Sequence, residues 1–227
     1  MSNGYYQLTT GRVAAIDGNC DFPSLNQALS EPDGLIAIGG DLSAARLLSA
    51  YKQGIFPWFN AGDPIMWFSP NPRMVLYPAE LKISNSLKKN INSNAFETRI
   101  NTSFAAVIAA CSKIPRNNQL GTWITDEMIA AYCELHALGY AVCAESWQNG
   151  QLVGGCYGIK IGRMFYGESM FYTVTDASKV AFVRLVNYLI NQQIGLIDCQ
   201  MKTPLLASLG GREIARDDFV KKLQALL

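Results

Sequence analysis

Hydrophobic residues recur every three to four positions in several segments of this 227-residue chain. This spacing places them on one face of a helix, so each segment is predicted to form an amphipathic helix. In the first segment, Asp41 or Ser43 can cap the start and Gly54 can end the helix. The predicted helices cover residues 41–54, 103–114, 125–139 and 175–193, and one more closes the chain.

Strict alternation and short apolar runs follow in the C-terminal half and predict β-strands. Between the first two strands, the residues Gln148, Asn149 and Gly150 are typical of a tight hairpin turn, because Asn-Gly accepts the left-handed backbone that such turns need. The predicted strands cover residues 140–148, 151–162, 163–172 and 194–200.

Two domains are predicted from a change in composition and in hydrophobic pattern along the chain. Residues 1–80 are rich in proline, glycine and aromatic residues and contain one predicted helix, whereas residues 81–227 show regular helix and strand patterns. The order of elements in the second part is typical of an acyltransferase-like α+β domain. Such a domain binds its acyl donor where two neighbouring strands part.

Composition narrows the possible functions. With 49% hydrophobic and 16% charged residues, the chain is expected to fold around a core. A net charge of +1 means that any basic surface for nucleic acid must be local. Because no apolar run reaches the roughly 20 residues that span a bilayer, and because the N-terminus lacks a secretory signal pattern, we expect a soluble cytoplasmic protein that does not bind membranes.

Metal and coenzyme chemistry have little support in the sequence. The six cysteines are scattered, none forms a C-x-x-C pair, and the single histidine, His136, is far from most of them. A metal site needs clustered ligands, so no metal is expected. The loop Q/R-x-x-G-x-G/A that holds coenzyme A is also missing from the sequence. His136 falls in the last turn of a predicted helix, where a structural role is favoured.

Glu168 is the first candidate for chemistry. It lies in the strand segment YGESMF, among aromatic residues, where an inward-facing and unpaired carboxylate would be costly. Strand alternation can instead turn the side chain outward into water, and the pattern alone leaves both orientations open.

The end of the last predicted strand carries the second candidate. In LIDCQ, alternation places Asp198 and Gln200 on one face and Cys199 on the other, so Cys199 is expected to pack in the core. Asp198 and Gln200 could orient a substrate amine, or Asp198 could simply cap the loop that follows.

Three tryptophans form the third candidate set. Trp58, Trp67 and Trp123 could bind apolar side chains or a nucleobase, since aromatic rings serve both. Each could equally be a core residue, and this reading is favoured from the pattern alone.

Nine motifs occur in order from about residue 22 to residue 216. They read FPSLNQALSEPDGLIAIGGDLS, AYKQGIFPWF, PIMWFSPNPRMVL, TWITDEMIAAYCELHALG, LVGGCYGIKIG, FYGESMF, DASK, LIDCQ and SLGG. Together they resemble the bacterial leucyl/phenylalanyl-tRNA–protein transferases. The resemblance implies a small N-terminal α/β domain beside a C-terminal acetyltransferase-like (GNAT) domain, with no cofactor.

The resemblance also implies an activity and its partners. Members of this family move Leu, Phe or, less well, Met from aminoacyl-tRNA to an N-terminal Arg or Lys of a protein, which marks that protein for degradation. By alignment, Asp198 draws the proton from the acceptor amine with Gln200 as relay, and Glu168 meets the aminoacyl group. The aligned pocket residues around the aminoacyl group and the terminal adenosine are Phe56, Trp58, Trp123, Cys156, Phe165 and Met170. Those aligned with tRNA-binding positions are Arg73, Lys82, Lys88 and Lys89.

Several positions depart from the family pattern. Val142 and Cys143 replace a usual His and Ser, Leu205 replaces a usual His, and Cys156 stands where the best-known members have Met. These changes keep open a related aminoacyltransferase with a different N-terminal or peptidyl acceptor. In the segment that the resemblance makes a basic tRNA-facing helix, Asn85, Asn92 and Ser93 stand where basic residues are common, which keeps open a protein that binds aminoacyl-tRNA or N-terminal degrons without turnover.

Overall fold

The computed structural model describes residues 4–18, 21–114 and 123–227. The helices of this part are α1 (Ala44–Lys52), α2 (Asn85–Asn92), α3 (Phe104–Ser112), α4 (Asp126–Ala137), α5 (Ala177–Asn191), α6 (Pro204–Ser208) and α7 (Arg216–Leu226). The strands are β1 (Tyr5–Leu8), β2 (Gly11–Ile16), β3 (Leu35–Gly39), β4 (Phe56–Pro57), β5 (Met66–Phe68), β6 (Arg73–Leu76), β7 (Glu97–Ile100), β8 (Ala141–Gln148), β9 (Gln151–Ile161), β10 (Met164–Tyr172), β11 (Leu196–Gln200) and β12 (Arg212–Ile214).

Local signals set these boundaries where the sequence predicts them. The Ser43 hydroxyl accepts the N–H of the third residue of α1, and Thr125 caps α4 in the same way. Asn149 and Gly150 have φ angles of 52° and 75°, which is the left-handed pair that a tight hairpin between β8 and β9 requires. The predicted helices and the hairpin are therefore confirmed.

The strands form two sheets. The small N-terminal sheet has the order β1-β2-β3-β5-β4, and the larger one has the order β12-β6-β11-β10-β9-β8-β7. Strand β6, at residues 73–76, already belongs to the larger sheet, so the chain enters that sheet before residue 80. The domain boundary at residue 80 stays a prediction.

Helices cover both faces of the larger sheet. The buried residues of α3 and α4 join one core cluster, which also includes the N-terminal sheet and α1, and those of α5 join a second cluster. The neighbouring strands β10 and β11 run parallel, whereas the other pairs in this sheet are antiparallel. Nowhere in the described ranges is a helix long and apolar enough to cross a bilayer.

Candidate active site

A pocket of about 420 Å³ lies where β10 and β11 part. The two strands are paired only between residues 164–166 and 196–198. Most of the residues of these strands that line the pocket come after the paired segment. The lining is largely apolar, and the segment after α1 contributes to it. All six residues that the resemblance assigns to the aminoacyl and adenosine pocket line this one: Phe56, Trp58, Trp123, Cys156, Phe165 and Met170.

Glu168 reaches this pocket because β10 is irregular at that point. The register against β9 shifts between Gly167 and Ser169, which makes Glu168 the extra residue of a bulge. Its Oε1 accepts a hydrogen bond from the hydroxyl of Tyr51 at 2.7 Å, and its Oε2 accepts one from Tyr132 at 3.2 Å. The side chain is thus turned inward, but it is paired rather than isolated.

Burial raises the pKa of Glu168 from its ordinary value to about 7, and the negative charge of Asp198 acts in the same direction. The hydroxyls of Tyr51 and Tyr132 oppose this shift, because hydrogen bonds to a carboxylate favour its charged form, and so does the nearby Arg73. The oxygens of the two tyrosine hydroxyls are also in contact with each other. Glu168 can therefore take up or release a proton near neutral pH, as a general acid or base must.

Gln200 connects Glu168 to the end of β11. Its Nε2 donates to Glu168 Oε1 at 3.1 Å, and its backbone N–H donates to Asp198 Oδ1 at 2.9 Å. The backbone of Gln200 is left-handed, with φ of 62°, a conformation that is unfavourable for most residues other than glycine. The Asp198 carboxylate compensates for this cost by accepting the N–H two residues ahead.

Asp198 itself lies behind the pocket wall. Its side chain is fully buried, it does not line the pocket, and both of its oxygens are bound by Arg73, at 2.8 Å from Nε and 2.6 Å from Nη2. Arg73 is only 1% exposed. The expected contact between Arg73 and tRNA is therefore wrong, because the guanidinium is enclosed and already neutralised by a carboxylate.

The prediction that Asp198 and Gln200 share one face of the strand is also wrong, whereas Cys199 packs in a core cluster as expected. Cys199 lines the pocket beside Gln200, whereas Asp198 does not. The alternation fails because the pairing of β11 with β6 shifts between Asp198 and Gln200, and the left-handed turn at Gln200 redirects its side chain. Burial and the nearby Asp198 charge raise the pKa of the Cys199 thiol, so the thiol stays protonated at neutral pH.

Two further candidates from the sequence, Trp67 and His136, have structural roles. Trp67 is fully buried and donates from Nε1 to the carbonyl of Gly39 at 2.9 Å, so it belongs to the core. His136 contacts the Ala141 carbonyl through Nδ1 at 2.9 Å and stacks on Phe104, which fits the predicted structural role.

The basic positions and the departures from the family pattern are placed as follows. Lys82, Lys88 and Lys89 are exposed, the last two on α2. Leu205 lines the pocket, whereas Val142 and Cys143 are buried outside it. Within the three described ranges, the His, Cys, Asp and Glu side chains form no group that could hold a metal ion.

Tyr51 and Tyr132 are the site residues that sequence reasoning missed. Both lie on the buried faces of predicted helices, α1 and α4, and the sequence pattern assigns neither a role in the site. A signal did exist, because a buried tyrosine hydroxyl needs a hydrogen-bond partner. The sequence could not show that both hydroxyls share Glu168, which is 117 residues from Tyr51.

The crystal structure of FemX has a similar fold. It is 8% identical to this chain, with a TM-score of 0.51, and the match covers 97% of this chain and 85% of FemX. At this identity the match shows the fold alone. Together with the parted parallel strands of the larger sheet, it places the chain in the acetyltransferase-like (GNAT) α+β class with a small N-terminal domain, so the predicted fold class is confirmed.

Sequence comparison gives the family. The family model described as leucyl/phenylalanyl-tRNA protein transferase matches residues 75–224, and the model of that family's N-terminal domain matches residues 40–71. Leucyl/phenylalanyl-tRNA–protein transferase from Nitrosomonas europaea is 58% identical over 214 residues, which are 94% of this chain and 90% of the relative. The protein of that name from Chromobacterium violaceum is 56% identical over 203 residues, 89% and 87% of the two chains. The chain belongs to the leucyl/phenylalanyl-tRNA–protein transferase family and is an enzyme, an aminoacyltransferase.

The raised pKa of Glu168 predicts how stability changes with pH. Because the folded-state pKa lies above the ordinary value, the stability that Glu168 contributes is present below about pH 4.5 and is lost as the pH rises through about 7. We expect Glu168→Gln, which cannot ionise, to be more stable than the parent at pH 8 by roughly 2–3 kcal/mol, and to lose this advantage at pH 4.5. Urea unfolding at both pH values measures the difference. A gain that is independent of pH, or the same gain in the exposed control Glu134→Gln, would contradict the assignment.

Proposed function

We propose that the chain transfers Leu or Phe, and less efficiently Met, from aminoacyl-tRNA to the N-terminal Arg or Lys of acceptor proteins in the cytoplasm, marking them for degradation. The observation that carries this proposal is the Glu168 carboxylate, with its pKa of about 7, at the polar end of an otherwise apolar pocket. The family membership supports the donor and the protein acceptor.

The pocket supports the choice of donor amino acid. Its walls include Phe165, Phe182, Leu185 and Leu206, and its polar lining residues include Glu168, Gln200 and Thr203. An apolar side chain loses water there without leaving a polar group unpaired, whereas a charged side chain would have to be desolvated. One missing methylene costs only about 1–3 kcal/mol in such a pocket, so smaller apolar residues are rejected modestly.

The reaction needs one proton transfer at the acceptor amine. The nitrogen of the acceptor attacks the carbonyl carbon of the aminoacyl ester, a C–N bond forms, and the ester C–O bond to the terminal ribose breaks. The amine must lose a proton, and the ribose oxygen must gain one. The α-amino group, whose pKa is about 7.7–8.0, attacks in its neutral form, and its nitrogen becomes acidic as the C–N bond forms. Glu168 is matched to accept the proton that this nitrogen then loses and to return it to the ribose oxygen. The ester is already activated, so positioning supplies much of the rate.

Gln200 and Asp198 complete the proposed machinery behind Glu168. Gln200 donates to Oε1, the carboxylate oxygen that Tyr51 also contacts, so the lone pair available to a proton is on Oε2, which among the described residues accepts only from Tyr132. Asp198 is enclosed and ion-paired with Arg73, so its proposed role is to hold Gln200 in place. The proton acceptor in this proposal is Glu168. The ionised Glu168 also attracts a cationic Arg or Lys terminus into the pocket.

A transfer assay tests this function. Charged Phe-tRNA or Leu-tRNA is incubated with peptides that differ only in the first residue, Arg, Lys, Asp or Glu, and the extended product is detected by mass spectrometry. We expect extension of the Arg and Lys peptides. Extension of the Asp or Glu peptides alone would support the alternative acceptor, and binding of charged tRNA without any product would support the non-catalytic alternative.

The basic helix α2 is proposed to contact the tRNA backbone. Lys88 and Lys89 are exposed on it, and Lys82 is exposed just before it. We expect Lys88→Ala with Lys89→Ala to raise the KM for charged tRNA more than it lowers kcat, and to flatten the dependence of log affinity on log salt by about 0.7–0.9 per lost phosphate contact. The matched control is the double alanine variant of Lys221 and Lys222, another adjacent exposed pair on a helix. Equal effects of the two double variants would refute a specific contact at α2.

A further inference from the structure

Arg73 is a buried cation that the proposed reaction does not use directly. Its guanidinium lies over the ring of Phe56 at 4.8 Å and over the ring of Phe219 at 4.7 Å. The same group makes two parallel hydrogen bonds to the Asp198 carboxylate. A planar guanidinium group that packs between aromatic rings and makes two hydrogen bonds to one carboxylate has little freedom to rotate.

This arrangement continues to the pocket through hydrogen bonds. Asp198 accepts the backbone N–H of Gln200 through Oδ1, the oxygen that also receives Nε of Arg73. That contact favours the left-handed backbone of Gln200, and from this backbone the Gln200 amide reaches Glu168. Any rotation of the Asp198 carboxylate would weaken the contact and release Gln200.

We propose that Arg73 is a positioning residue for aminoacyl transfer: clamped by Phe56 and Phe219, it fixes Asp198, which holds Gln200 so that its amide orients Glu168. The proposal rests on the proposed function, since it concerns the same carboxylate. It also gives the C-terminal helix α7 a part in the site, because Phe219 lies on α7 and is fully buried.

The test variant is Arg73→Lys, which keeps the positive charge beside Asp198 and removes the fork. We expect kcat for transfer to fall by about 10- to 100-fold, as for a small misplacement of a reacting group, with the KM for charged tRNA within about twofold of the parent. The matched control is Arg99→Lys. Arg99 also makes a two-point contact with a carboxylate, that of Glu97, and lies over the Trp147 ring at 4.6 Å, but it sits on the edge strand β7.

A second measurement is the pKa of Glu168 in the absence of substrate. Besides Gln200, the groups that influence Glu168 are Tyr51, Tyr132, Asp198 and Arg73. Losing the Gln200 hydrogen bond removes a donor that favours the carboxylate, so the pKa of Glu168, followed by carbon-13 NMR, should rise in Arg73→Lys. This titration needs no activity. A wild-type protein that does not transfer the aminoacyl group would contradict the proposed function. The titration of Glu168 would still decide whether Arg73 positions this carboxylate.

A double-mutant cycle with Gln200→Gly separates positioning from general support of the fold. Glycine accepts the left-handed backbone without help, but it has no amide to orient. If Arg73 acts through Gln200, adding Arg73→Lys to Gln200→Gly changes neither kcat nor the Glu168 titration beyond about twofold. An undiminished effect of Arg73→Lys in the Gln200→Gly protein would overturn the proposal, as would an unchanged titration in Arg73→Lys alone. If Arg73→Lys does not fold, Phe219→Leu, which removes one ring from the guanidinium, decides by the same two readouts.

Discussion

Glu168→Gln is expected to lower kcat for Phe transfer to an Arg-initiated peptide by about 10²- to 10⁴-fold at pH 7.5, the usual contribution of a positioned general base. Glutamine can still meet Tyr51, Tyr132 and Gln200 with its oxygen and amide, so the pocket shape is retained. It cannot accept a proton from the attacking amine. The KM for charged tRNA should change little, because glutamine keeps the pocket shape and the proposed contacts with the tRNA backbone lie on α2. Single-turnover rates with saturating charged tRNA measure the effect.

The control for this variant is Glu134→Gln. Glu134 is exposed on α4, the helix that carries Tyr132, and it has no contact with the pocket. We expect its transfer rate to equal that of the parent. A Glu168→Gln protein that keeps more than about a tenth of the parent rate would remove Glu168 from the proton-accepting role.

Asp198→Ala is expected to have the largest effect on stability, a loss of about 3–5 kcal/mol in the free energy of unfolding. The substitution leaves the guanidinium of Arg73 without its carboxylate at a site that is 1% exposed. A buried charge without a partner is far more costly than the loss of an exposed ion pair. Urea unfolding measures the change, and transfer activity should also be mostly lost because Gln200 is no longer held.

Cys199→Ala is the matched control, one residue further along β11. Cys199 lines the pocket, but its raised pKa keeps the thiol protonated and we give it no part in the transfer. We expect a loss of about 1 kcal/mol and a transfer rate within a few-fold of the parent. If the two variants lose activity equally at a temperature where both are folded, Asp198 has no specific role.

Local sequence patterns predict the helices and the hairpin, because these elements depend on interactions between residues that are close in sequence. The four helices predicted within the chain, here α1, α3, α4 and α5, and the hairpin at Asn149 and Gly150 follow from spacing, caps and left-handed turn residues, all of which are visible within a few positions. The short strands of the N-terminal sheet were not predicted as such. Strands of two to six residues carry little periodic signal, and β3 pairs with β2 and β5, which are separated from it by intervening segments of the chain.

Six of the residues that line the pocket were named from the resemblance, but the sequence does not predict the pocket's geometry. Its six aromatic, Met and Cys positions came from the resemblance, since composition and spacing left Trp58 and Trp123 open between core and ligand. Trp67 looks no different in sequence, yet it lies in the core. Only the tertiary structure separates residues that line a cavity from those that fill the space beside it.

The errors at Arg73 and Gln200 have physical causes. An arginine in a Pro-rich segment is usually a surface residue, and its burial depends on Asp198, which lies 125 positions away. Alternation fails at Gln200 because its left-handed backbone and a register shift reorient the strand end. Both departures from a local rule occur within the network that ends at Glu168, where function is expected to override local preference.

The most direct test of Glu168 as the base is the pH dependence of kcat/KM for Phe transfer to an Arg-initiated peptide. Below pH 7 the reaction needs both a neutral amine and an ionised Glu168, whose pKa values are about 7.7–8.0 and about 7. We therefore predict that log kcat/KM rises with a slope approaching two in the parent and a slope of one in Glu168→Gln, where only the amine titrates. A slope of one in both proteins would show that Glu168 does not accept the proton.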